Sequence, residues 1–190
     1  MAVIEVPSVH YFKPNIYRNY YGFAAGTPGT GVVAFEGGDR VNRWTRLTIN
    51  AIDAITVADN AALADGHLIY TFPAGNIILT GGYLSGAVSV AEDTTNAVAE
   101  IALGTTAGTG ANATLGAVAA TAENISNPTA SVVCDGVAEY VTFLATDILI
   151  ASADAHTVYF NVASTWGNTA GTDLTGDLSG TAILLWKYLG

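Results

Sequence analysis

The run His156-Thr157-Val158-Tyr159-Phe160-Asn161-Val162 decides how the rest of the chain is read. Val158, Phe160 and Val162 point one way and Thr157, Tyr159 and Asn161 the other, which is the period of a strand with one buried face. Similar segments recur outward from it, separated by Gly, Asn and Asp turns: Arg46–Val57, His67–Phe72, Asn76–Leu79, Leu84–Val90, Val98–Leu103, Ser131–Cys134, Tyr140–Leu144, Ile148–Ser152 and Thr181–Leu189. Roughly ten short strands with turn signals every eight to twelve residues predict an all-β sandwich or barrel. Ala111–Ile125 is the competing helical stretch, but Gly116 and Thr121 favour an extended segment there. A short helical turn is expected at Val57–Ala64, which carries Asp59 and Asn60, and no internal repeat marks a solenoid.

The 190 residues allow one domain plus an arm, and only 12% of them are charged while 51% are hydrophobic. A surface so poor in charge is expected to be partly buried by neighbouring subunits. Gly, Thr, Asn or Asp interrupts every apolar stretch well short of the roughly 18 residues that span a bilayer, so no membrane helix is expected. Met1 to His10 lacks a basic n-region and meets Pro7 early, which predicts synthesis in a cytoplasm without a secretory signal. Cys134 is the sole cysteine; it excludes an internal disulfide framework and reads as a small buried hydrophobe.

Charge divides the chain unevenly. Residues 1–46 hold Lys13, Arg18, Arg40, Arg43 and Arg46 against Glu5, Glu36 and Asp39, a balance of +2. Residues 47–190 hold thirteen acids and one base, Lys187, a balance of −12. An acidic body repels nucleic acid, whose binding requires Lys or Arg at the phosphates, so no nucleic-acid partner is expected. It also repels its own copies unless the basic part of one meets the acidic part of another.

The N-terminal segment is also distinct in composition. Pro7, Pro14 and Pro28 fall among Tyr11, Phe12, Tyr17, Tyr20, Tyr21 and Phe23, which argues for an extended arm over residues 1–43 ahead of a sandwich over 44–190. Gly26–Gly31 and Gly37-Gly38-Asp39 read as turns within it. Aromatic side chains gain by burial, so the arm is expected to be ordered by packing. It packs either on its own domain or across a neighbour, and the excess of aromatic surface favours the neighbour. The expected interface residues are Tyr11, Phe12, Tyr17, Arg18, Tyr20, Tyr21, Phe23, Arg40, Arg43, Trp44 and Arg46, types enriched at protein interface cores.

Motifs for chemistry are weak, and neither a catalytic residue nor a cofactor or metal site is expected. Gly104–Gly110 lacks the Lys-Ser/Thr end of a phosphate loop, and Ser85 misses the glycine spacing of a nucleophile elbow. His10, His67 and His156 stand singly, without zinc-ligand spacing. Asp173 and Asp177 lack the alternating oxygen ligands of a calcium loop and read as turn caps. Asn112 and Asn124 begin glycosylation tripeptides that carry little weight without a secretory signal.

Three segments taken in order carry a resemblance. Val98-Ala-Glu-Ile-Ala-Leu-Gly-Thr-Thr105, then Thr157-Val-Tyr-Phe-Asn-Val-Ala-Ser-Thr-Trp166, then Ser179-Gly-Thr-Ala-Ile-Leu-Leu-Trp-Lys-Tyr-Leu-Gly190 resemble the small head proteins of tailed bacteriophages that decorate or cement the capsid. The resemblance covers roughly residues 65–190 and leaves out the arm. It implies a jelly-roll-like antiparallel β-sandwich, a trimer, and a place on the outer surface of the virion capsid after synthesis in the host cytoplasm. Its partner would be the major capsid protein, whose adjacent subunits it clamps. A carbohydrate- or receptor-binding module of a phage fibre, with Tyr159 and Trp166 as sugar platforms, is the alternative, and a hydrolase with a close carboxylate pair is a third.

Overall fold

The computed structural model describes residues 16–18, 25–57, 63–90, 98–112, 114–126, 128–135, 137, 139–142, 147–154, 156–164 and 174–190. The first strands are β1 (Ile16–Arg18), β2 (Thr27–Pro28), β3 (Val32–Gly38), β4 (Asn42–Val57), β5 (Ala64–Thr71), β6 (Ile77–Val90) and β7 (Val98–Gly104). A single α-turn, α1 (Leu115–Val118), and a 3₁₀ turn at Ala120–Ala122 follow. The remaining strands are β8 (Thr129–Val133), β9 (Glu139–Thr142), β10 (Ile148–Ile150), β11 (Thr157–Ser164) and β12 (Leu174–Tyr188). No helix among the described residues is long and apolar enough to cross a membrane.

Two sheets pack together. The larger runs β1-β3-β4-β12-β6-β10, with β9 also on β6, and the smaller runs β2-β5-β11-β7-β8. Every pairing is antiparallel except β1 on β3, at the edge of the larger sheet. The pairings nest: β4 with β12, β5 with β11, β6 with β9 and β10, and β7 with β8. The chain from β4 onward therefore doubles back on itself once, and the doubled ribbon divides between two layers.

The alternation that predicted the fold is what fills the space between the layers. Val158, Phe160 and Val162 are fully buried from β11, and they meet Leu47, Leu84 and Leu184 from the larger sheet in one hydrophobic cluster. Burying a side chain such as Phe160 contributes about 2–3 kcal/mol. Trp186 is buried at one end of this core with its ring edge-on to Phe72 at 5.2 Å, and Phe72 lies edge-on to Tyr70 at 5.1 Å. Cys134 is buried in the same cluster.

Three expectations need correction. Asn76–Leu79 and Leu84–Val90 form one strand, β6, because Gly81 and Gly82 take φ of 156° and 143° and absorb a register shift against β12 without ending it. The Ala-rich stretch is neither helix nor fully extended, since α1 and the 3₁₀ turn give it two brief helical turns. The sandwich does not begin at Trp44: β3 pairs with β4 along its whole length, and Val32 and Ala34 are buried in the core. Glu36 hid that strand from the sequence reading, because a carboxylate on its inward face breaks the apolar pattern. The Gly37-Gly38-Asp39 turn stands, with Gly38 at φ 118° and the Asp39 carboxylate accepting from the N–H groups of Val41 and Asn42 at 2.8 and 2.6 Å. Those two backbone donors hold the Asp39 carboxyl below its ordinary range. The expected helical turn at Val57–Ala64 falls on residues 58–62, outside the described residues.

Candidate docking face

The outer faces of the two sheets are treated differently by the chain. On the smaller sheet, Asn161 points outward from β11 yet is fully buried. Its Oδ1 accepts from Gly108 N–H at 2.8 Å, and its Nδ2 donates to Thr106 O at 3.0 Å and Ala122 O at 2.6 Å. Leu115 of α1 completes the cover by packing on Ala64, Ala102 and Ala163, and its N–H donates to Glu100 Oε2 at 2.6 Å. Residues of the loop between β7 and β8 thus cover part of this sheet's outer surface.

The larger sheet has no comparable layer among the described residues. Its outward positions are read from the register and the burial pattern. Phe35, Arg46, Ile183 and Tyr83 form one row across β3, β4, β12 and β6. Trp44 and Leu185 stand in the next row, flanked by Gly37 and Gly81. Leu185 is 44% exposed and Tyr83 38%. Trp44 leans on Phe35 with ring centroids 5.3 Å apart, and the Arg46 guanidinium lies 5.9 Å from the Phe35 centroid. Gly37 is required beside this pair, because a Cβ there would stand 2.5 Å from the Trp44 ring. A shallow depression of about 230 Å³ lies where β4, β12 and β6 meet, lined by the inward Arg43 and Trp186 as well as by Trp44, Thr80, Leu185 and Lys187.

Cations gather here. Arg46 and Lys187 are exposed on β4 and β12, and Arg40 is exposed in the β3–β4 turn. Arg43 departs from the expected role, because it points inward and stacks 5.1 Å from the Trp186 ring and 5.2 Å from that of Tyr188. Tyr17 and Arg18 lie on β1, in register with Phe35 and Glu36 of β3. Tyr11, Phe12, Tyr20, Tyr21 and Phe23 lie outside the described residues. Of the expected interface residues, the structure brings Trp44 and Arg46 together on one face and places Arg40 at its end.

The sequence reading missed Phe35, Tyr83, Ile183, Leu185 and Lys187. For Ile183 and Leu185 the signal was the run Ile183-Leu184-Leu185-Trp186, which is apolar on both faces, as a strand covered on one side only should not be. No protein-family model, curated protein or solved structure matches this chain. The site therefore rests on its own geometry.

Among the described residues no three His, Cys, Asp or Glu side chains gather into a metal-binding group. His67 Nε2 lies 3.3 Å from Thr30 O and His156 Nε2 lies 2.7 Å from Gly75 O, so each ring is engaged with the backbone. His10, Trp166 and Asp173 lie outside the described residues. What this face offers is aromatic and aliphatic area with Arg46 within it and Arg40 and Lys187 at one end, which suits protein contact.

Proposed function

We propose that the protein is a viral structural subunit, a capsid decoration or cement protein that binds the outer capsid surface and has no catalytic role. The observation that carries this reading is the exposed outer face of the larger sheet, apolar and cationic on an otherwise acidic molecule. Such a face gains by contact with another protein, and it fits a subunit of an assembly better than a free monomer. The nested strand order supports the jelly-roll form of the sandwich, in which a doubled ribbon winds into two sheets. The resemblance in residues 98–105, 157–166 and 179–190 points the same way.

In this reading the aromatic residues ahead of β2 fill pockets on the major capsid protein and Arg18 pairs with acidic groups there. Several arms per oligomer hold together, because release of one leaves the rest to keep it at high local concentration. Decoration then stabilises the shell by mass action, since the protein binds the assembled lattice and not its separated subunits.

The test is co-sedimentation with purified capsids that lack the protein, comparing the full chain with a chain that starts at residue 25. The full chain should pellet with the capsids and raise their melting temperature, and the shortened chain should bind at least tenfold more weakly. If neither pellets while a glycan array shows specific hits, the fibre-module reading replaces this one.

A further inference from the structure

Glu100 and Glu123 are the only charged residues between Val98 and Ser126, and the fold brings both carboxylates to the start of α1. Glu100 reaches outward from β7, where its Oε2 accepts from the N–H of Leu115 at 2.6 Å. Glu123 returns to the same turn from beyond Ala120–Ala122. A Cβ on Gly116, the residue after Leu115, would stand 2.9 Å from its Oε1. Glu123 Oε2 is buried and accepts no hydrogen bond. Such an oxygen is costly while charged, and a proton on the carboxyl relieves it.

The surrounding elements offer no positive charge among the described residues. Neither α1 nor the 3₁₀ turn carries a charged side chain. Outward on β5 and β11 stand Ala64, Gly66, Asn161 and Ala163, and Asn161 is engaged with Thr106, Gly108 and Ala122. Val133 of β8 is in register with Val98. Asp65 is in register with the inward Val162 and so stands on the other side of the sheet, and Tyr159, in register with Gly104, titrates far above a carboxyl. The charge beside Glu123 is therefore Glu100, of like sign.

The turn between them is lightly held. Leu115 is the buried residue of α1, seated on Ala64, Ala102 and Ala163. Its flanks are anchored on both sides. Gly110 O accepts from Leu63 and Ala64 N–H at 2.7 and 3.2 Å, Thr121 O accepts from Thr105 N–H at 2.9 Å, and Ile125 N–H donates to Leu103 O at 3.0 Å. Lifting α1 takes Gly116 off the Glu123 carboxyl and admits water to it.

From this geometry we infer that α1 is a proton-controlled lid on the outer face of the smaller sheet, closed when one of the two carboxyls is protonated and loosened when both are ionised. Desolvation, and then the Glu100 charge, raise the Glu123 pKa, so the closed lid holds its proton more tightly than the open one. Closure is complete below the ordinary 4.5 and weakens as pH rises through the raised value. Opening bares Ala64, Ala102 and Ala163, a flat surface of small side chains. The inference is independent of capsid binding.

The experiment is amide hydrogen exchange on the full chain at about pH 4.5 and pH 7.5, each rate divided by the intrinsic rate at that pH. The reporters are Leu115, Ala117, Val118 and Ala119, whose N–H groups donate to Glu100, Thr114, Thr114 and Leu115. Their protection should be at least about threefold lower at the higher pH, while paired amides of β6 and β12 change less. Glu123→Gln should keep the acid-level protection at both values, since its amide offers a donor that does not titrate. Glu100→Gln can still accept from Leu115 and should keep a pH dependence with its midpoint moved to lower pH, because burial is the larger cause. Equal protection of the parent at both values overturns the proposal, and so does a Glu123→Gln chain that loses protection as the parent does. Protection restored at pH 7.5 by millimolar calcium also overturns it, by assigning the pair to a metal cation.

Discussion

The Tyr70 hydroxyl donates to the Glu36 carboxylate inside the sandwich, joining β5 of the smaller sheet to β3 of the larger. Gly26 N–H donates to the same carboxylate oxygen at 3.0 Å, and the Tyr70 hydroxyl lies 3.4 Å from Thr45 Oγ1, which accepts from Trp186 Nε1 at 2.9 Å. A buried carboxylate is tolerable only with such donors, and these tie the segment ahead of β4 into the core.

Tyr70→Phe removes the phenol and leaves Glu36 with one donor fewer in a buried site. The expected loss is about 2–3 kcal/mol of unfolding free energy. Chemical denaturation of the variant beside the parent chain measures it, and an unchanged midpoint would remove the pair from the account of stability.

The same phenol sets the alkaline limit. Burial, and then the Glu36 charge, raise its pKa well above the ordinary 10.0. Folded protein keeps this proton while unfolded chain releases it, so the contribution is complete below about pH 10 and is lost as pH rises beyond it. Unfolding midpoints measured from pH 8 to pH 11 should fall at the alkaline end for the parent and fall less for Tyr70→Phe.

Glu123 follows the same sign at a lower pH. Desolvation, and then the charge of Glu100, raise its pKa above the ordinary 4.5, so its charged form is disfavoured in the folded chain. Stability from this group is complete below about pH 4.5 and declines as pH rises through the raised value. Glu123→Gln should therefore gain stability at pH 7, by less than about 1 kcal/mol because the group is largely solvent-screened. The gain should vanish at pH 4 in paired thermal melts.

Asn161→Ala deletes three hydrogen bonds that hold the β7–β8 loop on its sheet. The expected cost is about 2–4 kcal/mol, with faster amide exchange at Gly108 than in the core strands. Exchange that rises equally everywhere would show that the loop has no opening of its own.

Truncation separates arm from fold. A chain starting at residue 25 should keep its sandwich, whereas one starting at residue 44 loses β2, β3 and the buried Val32, Ala34 and Glu36, and should be unfolded or aggregated. Circular dichroism and gel filtration distinguish the two.

Much of this was legible in the residues alone. The alternation from Val158 to Val162 set a strand and its buried side, the Asp39 turn followed from its glycines, and the apolar residues on both sides of β12 were visible in Ile183–Trp186. Which sheet face the described residues leave without a covering layer was not legible. Period two shows which residues share a face, but cover is supplied from elsewhere, here by backbone groups 39 to 55 residues from Asn161. The membership of β3 was hidden for the same reason, because Glu36 is an inward residue only when Tyr70 and Gly26 arrive to satisfy it. Arg43 looked like a surface anchor until Trp186 and Tyr188 gave it rings to stack on. The sequence by itself determined most of the strands from β4 onward, the inward face of β11 and the shortage of charge. Only the tertiary structure decided that the β7–β8 loop covers the outer face of the smaller sheet, since that depends on contacts between segments whose spacing along the chain carries no periodic signal.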